Sequence, residues 1–139
     1  MIGFIVTGHG NFATGITSAV TLVTGITDGV IACDFDDMSS FDSIRVKLEK
    51  AVEELKDYDD IVIFCDLLSG TPFNQALDMK VSTNNEKIHI IYGSNLPLLI
   101  EAILSGTNGA DMERIEEIVE TARGSIGIVQ DKAEEEDDF

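Results

Sequence analysis

Short apolar runs alternate along the chain with segments in which apolar residues recur at helical spacing. The apolar runs are residues 2–7, 29–35, 60–66 and 87–92, and each is typical of a fully buried strand. The helical segments are Phe12–Thr24, a segment that starts at Ser39, one that starts at Thr71, one around Pro97–Leu104 and one that follows Asp111. Buried strands that alternate with helices predict a mostly parallel sheet covered by helices on both faces, and therefore a doubly wound α/β fold.

Several segment boundaries carry residue types that favour the start of a helix. Ser39-x-x-Asp42 resembles a capping box. Thr71 and Pro72 predict an N-cap and a first helical position, because proline is well tolerated at the start of a helix. Asp111 is the expected N-cap of the last helix.

The order of the strands in the sheet determines where a ligand would bind. A short doubly wound sheet favours the order 2-1-3-4, which places a topological switch point between strands one and three. A short fifth strand, residues 125–129 (SIGIV), is expected at the C-terminal end of the chain. Ligands bind outside the carboxyl ends of the strands at a switch point. The two segments predicted to lie there are Gly8-His9-Gly10 and residues 66–71.

The chain is strongly acidic. It has 139 residues, a size typical of one domain, and its 9 Lys and Arg against 26 Asp and Glu give a net charge of −17. Such a chain repels polyanions, so neither nucleic acid nor an anionic membrane surface is an expected partner. Residues 131–139 hold six acids and one lysine. They are predicted to form a disordered tail after a domain of residues 1–130.

Several other classes of protein and site do not fit the sequence. No apolar run reaches the roughly 18 to 20 residues that span a bilayer, and the first residues do not resemble a signal peptide, so we expect a cytoplasmic protein. Cys33 and Cys65 lie within apolar runs and are expected to be free, buried thiols. The sequence contains no P-loop, no zinc-protease motif and no Cys/His ligand spacing, and neither a metal nor a cofactor is predicted.

The glycine-flanked His9 and the neighbouring carboxylate of Asp66 suggest phosphoryl chemistry. A neutral imidazole accepts a phosphoryl group well when a partner at its other nitrogen fixes its tautomer, and Asp66 is placed to be that partner. The helix that starts at Thr71 directs its free N–H groups toward the same crevice. Neither segment contains lysine or arginine, so we expect a partner protein to supply a basic residue to the transferring group.

Two other interpretations remain open from the residues alone. The segment GHGNFA at 8–13 fits the G-x-G-x-x-G/A pattern of a small dinucleotide-binding module, and Asp34 lies where a ribose-binding acid would. Against this, a dinucleotide site needs two mononucleotide-binding halves, and 139 residues leave little room for both. A purely structural interpretation makes His9 a turn residue, Asp66 a loop cap and Thr71 an N-cap, within a non-catalytic interaction domain.

Three stretches of the chain resemble the enzyme IIA domain of the mannose family of the bacterial phosphoenolpyruvate-dependent sugar phosphotransferase system. They are IVTGHG at residues 5–10, CDLLSGTPFN at 65–74 and GSNLPLL at 93–99, in the order of the family. The second stretch is the most specific, and the resemblance covers about residues 1–129. Ser69 departs from the pattern, because the family commonly has a second glycine at this position.

The resemblance implies that the protein is a phosphocarrier without a cofactor. His9 would accept a phosphoryl group from the histidine-containing phosphocarrier HPr and pass it to a separate enzyme IIB partner, which serves the membrane components IIC and IID. Asp66 would orient the imidazole. The residues expected to bind the phosphoryl group are Gly10, Ser69, Gly70 and Thr71.

The resemblance also implies an assembly and a branch of the family. The family forms homodimers in which the last strand crosses to the sheet of the neighbouring subunit, and residues 125–129 would be that strand. Such an exchange would cover an open sheet edge. The run TPFN at residues 71–74 favours the sugar-transport branch over relatives that signal to dihydroxyacetone kinase.

Overall fold

Strands and helices alternate as predicted in the structure, a computed structural model that describes residues 1–37 and 41–131. The strands are β1 (Ile2–His9), β2 (Val30–Phe35), β3 (Asp60–Cys65) and β4 (Ile88–Ile91). The helices are α1 (Phe12–Thr24), α2 (Phe41–Glu54), α3 (Thr71–Ser82), α4 (Leu96–Thr107) and α5 (Met112–Ala122), followed by a 3₁₀ turn at Arg123–Ser125. None of these helices is long and apolar enough to cross a membrane.

The described strands form one sheet in which all neighbours run parallel. Its order is β2-β1-β3-β4, which confirms the predicted α/β fold and the predicted switch point between β1 and β3. Thr7 of β1 pairs with Cys65 of β3, and His9 pairs with Phe35 at the end of β2. This register places His9 beside the residue that follows β3, which is Asp66.

Helices cover both faces of the sheet and build a core on each. Successive side chains of a strand point to opposite faces, so Phe4 and Val6 belong to one core and Ile5 to the other. The helices α1, α4 and α5 cover the first core, in which Phe4 stacks on Phe64 with the ring centroids 5.9 Å apart. The helices α2 and α3 cover the second. Packing on both faces fixes the ends of β1 and β3 relative to each other.

Two helix ends carry residues that suit their positions. Gly25 ends α1 in the left-handed conformation, with a φ of 75°. At α5, the Asp111 side chain accepts a hydrogen bond from the Arg114 N–H at 3.1 Å, which confirms the predicted N-cap. The predicted capping box at Ser39 lies outside the described residues.

The start of α3 differs from the prediction. Thr71 is not the N-cap, because Gly70 occupies that position and Thr71 and Pro72 are the first two residues of the helix. The helix begins one residue earlier than expected because the Asn74 N–H already donates to the Gly70 carbonyl at 2.8 Å. Proline fits here because its missing N–H would have had no acceptor within the helix.

The predicted fifth strand is not formed by the described chain. Residues 126–130 have no regular secondary structure. Ile126, Ile128 and Val129 are 81%, 84% and 77% exposed. An apolar alternation becomes a strand only where its backbone groups find a neighbour, and these residues pair with no strand of residues 1–37 or 41–131. The described chain therefore does not show the predicted fifth strand.

The two cysteines are free and buried, as predicted. Burial raises the pKa of the Cys33 thiol to about 11 and that of the Cys65 thiol to about 12. Both thiols therefore stay protonated at neutral pH, and they act as small apolar side chains of the second core.

Candidate functional site

The carboxyl ends of β1 and β3 bring the predicted residues His9 and Asp66 together. His9 is the last residue of β1, and Asp66 directly follows β3. Gly8 makes their approach possible, because a Cβ atom at this position would lie 2.5 Å from the Phe12 ring and 2.9 Å from Cγ of Asp66. A larger residue at position 8 would displace the carboxylate from the histidine.

Asp66 binds His9 through both the ring and the backbone. Its Oδ2 atom lies 2.8 Å from Nδ1 of His9 and accepts the His9 backbone N–H at 2.9 Å. Its Oδ1 atom accepts the Leu67 N–H at 2.8 Å. The Asp66 side chain is 12% exposed and that of His9 is 40% exposed. The carboxylate is therefore fixed and largely covered, while part of the imidazole remains open to a partner.

The protonation state of Asp66 determines the tautomer of His9. Partial burial raises the pKa of the Asp66 carboxyl, but the hydrogen bonds from the His9 backbone, the His9 ring and the Leu67 N–H outweigh this effect and bring the pKa below the ordinary value of 3.8. At neutral pH the carboxylate is ionised and can only accept hydrogen bonds. The bond to Oδ2 therefore assigns the ring hydrogen to Nδ1, and in the neutral imidazole Nε2 carries the free lone pair.

The opposite edge of the imidazole lies against Gly70. A Cβ atom at Gly70 would be 2.6 Å from Cε1 and 3.3 Å from Nε2 of His9, so only glycine fits without displacing the ring. Gly70 is also the N-cap of α3. The first N–H groups of a helix have no acceptor within the helix, and they form the positive end of its dipole. An anion bound at Nε2 would therefore lie near the N-terminus of α3, where Thr71 is the first residue.

The other predicted phosphoryl-binding residues form the turns on either side of the imidazole. Gly10 has a φ of 58°, and its N–H donates to the Phe35 carbonyl at 2.7 Å. Ser69 has a φ of 68° and is exposed. Glycine adopts this left-handed region freely, whereas a serine is disfavoured there by its Cβ atom. A glycine at position 69, as in the family pattern, would therefore suit the conformation observed here.

Two residues around the site were missed by the sequence analysis. The Phe35 ring meets the His9 ring edge-on, with centroids 5.9 Å apart and an interplanar angle of 69°. Because Phe35 ends the strand next to β1, the predicted strand order could have indicated this contact. Asn74 of α3 donates from Nδ2 to the Ser69 carbonyl at 3.3 Å. No periodicity in the sequence points to that hydrogen bond.

The sequence as a whole identifies the family. The EIIA-man family, described as the PTS system fructose IIA component, matches residues 3–123 of the chain. The chain belongs to this family. It is therefore a mannose-type EIIA protein, a component of the phosphotransferase system of sugar uptake.

Relatives and solved structures agree with this assignment. The chain is 24% identical to the fructose-specific EIIA component of Bacillus subtilis over 74% of its own length and 69% of the relative's. It is 27% identical to the sorbose-specific EIIA component of Lacticaseibacillus casei, over 75% and 73% of the two chains. A crystal structure of an EIIA component from Streptococcus agalactiae is similar with a TM-score of 0.78 and 35% identity, covering 94% of this chain and 97% of the other.

In this EIIA protein Asp34, the candidate ribose-binding acid of the dinucleotide interpretation, stabilises the start of a helix. Both carboxylate oxygens of Asp34 bind Thr14, one accepting its backbone N–H at 2.9 Å and the other its hydroxyl at 2.7 Å. Asp34 thus stabilises the first turn of α1 instead of presenting a free carboxylate to a ribose. Among the described residues no group of three His, Cys, Asp or Glu side chains is arranged to hold a metal ion.

The second histidine of the EIIA protein lies away from the carboxyl ends of the strands. His89 of β4 binds the Asp60 carboxylate, with Nε2 and Oδ1 2.8 Å apart, and Asp60 is the first residue of β3. Two open grooves, of about 580 and 540 Å³, lie along β4 and share the lining residues Ile90 and Ile91. The grooves therefore follow the edge of the sheet and are separate from the surroundings of His9.

Proposed function

We propose that the protein is a cytoplasmic phosphocarrier that receives a phosphoryl group from HPr on Nε2 of His9 and passes it to a histidine of an enzyme IIB partner. The observation that carries this proposal is the hydrogen bond between Nδ1 of His9 and Oδ2 of Asp66 at 2.8 Å. It holds the hydrogen on Nδ1, so the lone pair of Nε2 is available on a half-exposed ring.

The transfer is a displacement at phosphorus between two imidazoles. The lone pair of Nε2 attacks the phosphorus of phospho-HPr, and the bond between phosphorus and the donor nitrogen breaks with its electron pair left on the donor. The Nδ1 hydrogen stays in place during this step. The His9 ring gains positive charge, which the ionised Asp66 stabilises as a fixed neighbouring anion. Onward transfer to the IIB histidine reverses these changes.

The N-terminus of α3 supports the phosphoryl oxygens in this proposal. Gly70 and Thr71 supply backbone N–H groups and a hydroxyl at the positive end of the helix dipole. Neither of the segments 8–10 and 66–71 contains lysine or arginine. The remaining negative charge is then stabilised by a basic residue of the partner, and alanine substitution across the basic surface of HPr should slow the transfer.

Exposed apolar side chains border the proposed phosphorylation site. Leu67 and Leu68 are each 56% exposed on the loop that follows Asp66. Exposed apolar groups beside a reactive residue are typical of a protein-docking surface. We assign this loop to the docking of HPr and the IIB partner.

The proposed relay can be tested by phosphorylation in a reconstituted system. Incubation with phosphoenolpyruvate, enzyme I and HPr should add one acid-labile phosphoryl group to the wild type, detected by intact-mass spectrometry. His9→Ala should gain none. His89→Ala is the matched control, because it removes the other histidine and should be phosphorylated like the wild type. An unmodified wild type in the presence of active enzyme I and HPr, or a phosphorylated His9→Ala, would contradict the proposal.

The same proposal includes a homodimer in which residues 125–129 of each subunit pair with β4 of the other. β4 is an edge strand, and an open edge pairs readily with an additional strand. Ile126 and Ile128 are exposed at alternate positions, the spacing that would direct both side chains to one face of a strand. The groove of about 580 Å³ along β4 offers apolar residues to receive them, among them Ile88, Ile90 and Val119.

The dimer is tested by sedimentation velocity. Ile128→Asp should shift the protein toward the monomer, because it places a charge in the proposed apolar contact. Leu22→Asp is the matched control, since Leu22 is 88% exposed on α1 and lies outside that contact. A monomeric wild type, or a dimer that is unaffected by Ile128→Asp, would contradict strand exchange.

A further inference from the structure

We propose that Asn74 is a positioning residue for phosphoryl transfer, which it supports by holding Ser69 in the left-handed conformation that places Gly70 against the His9 imidazole. The proposal rests on the proposed function, because it assigns Asn74 to the reaction of His9. Among the described residues, no hydrogen bond joins Asn74 to His9. Asn74 acts through the backbone of the loop that joins Asp66 to α3.

The conformation of Ser69 needs support from its surroundings. Among the described residues only Ser69 and Asn84 have positive φ without being glycine, at 68° and 51°. Asparagine tolerates this region, whereas the Cβ atom of serine is disfavoured there. The Ser69 conformation is therefore one that the isolated loop would leave readily, and it persists when other contacts hold it.

Asn74 provides two of those contacts from the first turns of α3. Its backbone N–H donates to the Gly70 carbonyl at 2.8 Å, and its side-chain Nδ2 donates to the Ser69 carbonyl at 3.3 Å. Two successive carbonyls of the loop are thus bound by one residue of a regular helix. An alanine at this position keeps the first contact and removes the second.

The loop conformation matters because the space around the imidazole is limited. The backbone of Gly70 is so near the ring that a Cβ atom there would lie 2.6 Å from Cε1 of His9. If Ser69 changed its φ, the peptide that joins it to Gly70 would rotate, and the contact with the ring would be lost. The N–H groups at the start of α3 would then no longer be aligned with a group on Nε2. The side-chain amide of Asn74 thus keeps the start of α3 in a fixed position relative to the His9 ring.

The test is a double-mutant cycle of Asn74→Ala and Ser69→Gly in the full-length protein. Phosphorylation by phospho-HPr is followed in single turnovers over a range of phospho-HPr concentrations. Asn74→Ala should lower the maximal rate by about fivefold, the factor that corresponds to one ordinary hydrogen bond, and leave the half-saturating concentration unchanged. Alanine also retains α3, since it has the highest helix propensity. Gln75→Ala, one residue further along the helix, is the control and should react like the wild type.

The cycle distinguishes positioning from a general loss of structure. Glycine adopts the left-handed region without the support of Asn74, so the effect of Asn74→Ala should be smaller in the Ser69→Gly background than in the Ser69 background. NMR provides a second readout, because Asn74→Ala should shift the signals of the Gly70 amide and of the His9 ring. An equal rate loss in both backgrounds, or a rise in the half-saturating concentration alone, would overturn the proposal.

The two proposals fail in different ways. If the wild type is not phosphorylated at all, the proposed function is wrong, and the NMR signals of the loop still report whether Asn74 holds Ser69 and Gly70. If the wild type is phosphorylated and Asn74→Ala reacts at the wild-type rate with unchanged His9 ring signals, only the role of Asn74 is refuted.

Discussion

Replacement of Asp66 by asparagine tests the central contact of the site with almost no change of volume. The carboxylate accepts three hydrogen bonds, from the His9 backbone N–H, the His9 ring and the Leu67 N–H. An amide has one acceptor oxygen and one donor group. If the amide nitrogen replaces Oδ2, it faces two donors of His9, and the ring must move its hydrogen to Nε2 to accept from it. The nucleophilic lone pair is then lost.

The size of the effect follows from the type of hydrogen bond that is removed. A hydrogen bond to a charged group contributes about 1.5–3 kcal/mol. Because each 1.36 kcal/mol in the barrier changes the rate tenfold, Asp66→Asn should slow phosphorylation of His9 by about 10- to 150-fold. The loss should appear in the maximal rate more than in the half-saturating concentration of phospho-HPr, since Asp66 lies under the imidazole and not on the docking loop.

The assay combines single-turnover phosphorylation with NMR of the imidazole nitrogens. The wild type should show hydrogen on Nδ1 at neutral pH, and Asp66→Asn should show an increased fraction of hydrogen on Nε2. A native-like circular dichroism spectrum of the variant at the assay temperature would establish that the rate reports the site. Transfer at the wild-type rate would refute this reasoning, and so would a slow variant in which the hydrogen remains on Nδ1.

Three further predictions concern the pH dependence of stability and the space for a Cβ atom at two glycines. The folded-state pKa of Asp66 lies below the ordinary value of 3.8. Its contribution to the free energy of unfolding is therefore present above about pH 4 and is lost as the pH falls through the folded pKa. Between pH 5 and pH 3, the free energy of unfolding measured with urea should decrease less for Asp66→Asn than for the wild type. Gly70→Ala would place its Cβ atom 2.6 Å from the imidazole, and we expect phosphorylation to slow by about 100-fold, as measured in the same single turnovers. Gly106→Ala would place Cβ 2.4 Å from the Phe4 ring and should destabilise the protein by about 1–3 kcal/mol in chemical denaturation, whereas Gly15→Ala, with no atom within 4 Å, should not.

The sheet and the meeting of His9 with Asp66 could be predicted because both depend on patterns that a single sequence carries. Buried parallel strands appear as continuous apolar runs, and their order determines which carboxyl ends meet. The start of α5 was predictable as well, because Asp111 caps this helix through its own side chain, which is a local interaction. Local chemistry and strand order together were sufficient to place the histidine beside the carboxylate.

The details around the imidazole could not be predicted because they depend on distances across the fold. Nothing in the residue type of Ser69 indicates a left-handed conformation, and the approach of Gly70 to the ring exists only after α3 has packed on the sheet. The start of α3 was placed one residue late for a local reason, because threonine is a favoured N-cap residue and Gly70 takes that position instead. The segment at 125–129 has the alternation of a strand, but strand formation needs a neighbour that the described chain does not provide. Sequence patterns thus indicate which secondary structure a segment can form, and tertiary contacts determine whether that structure forms.

The absence of lysine and arginine from the two site segments is consistent with the reversible transfer that the proposed function requires. A phosphocarrier has to release the phosphoryl group as readily as it accepts it. A cation from its own chain would stabilise phosphorylated His9 as well as the transition state, and so raise the barrier to the second transfer. The backbone N–H groups at the start of α3 stabilise the phosphoryl oxygens, and the Asp66 carboxylate stabilises the ring, more weakly than such a cation would stabilise the phosphoryl group. If each partner brings its own basic residue, strong stabilisation is present only while a donor or an acceptor is bound, and the phosphoryl group is never trapped between the two encounters.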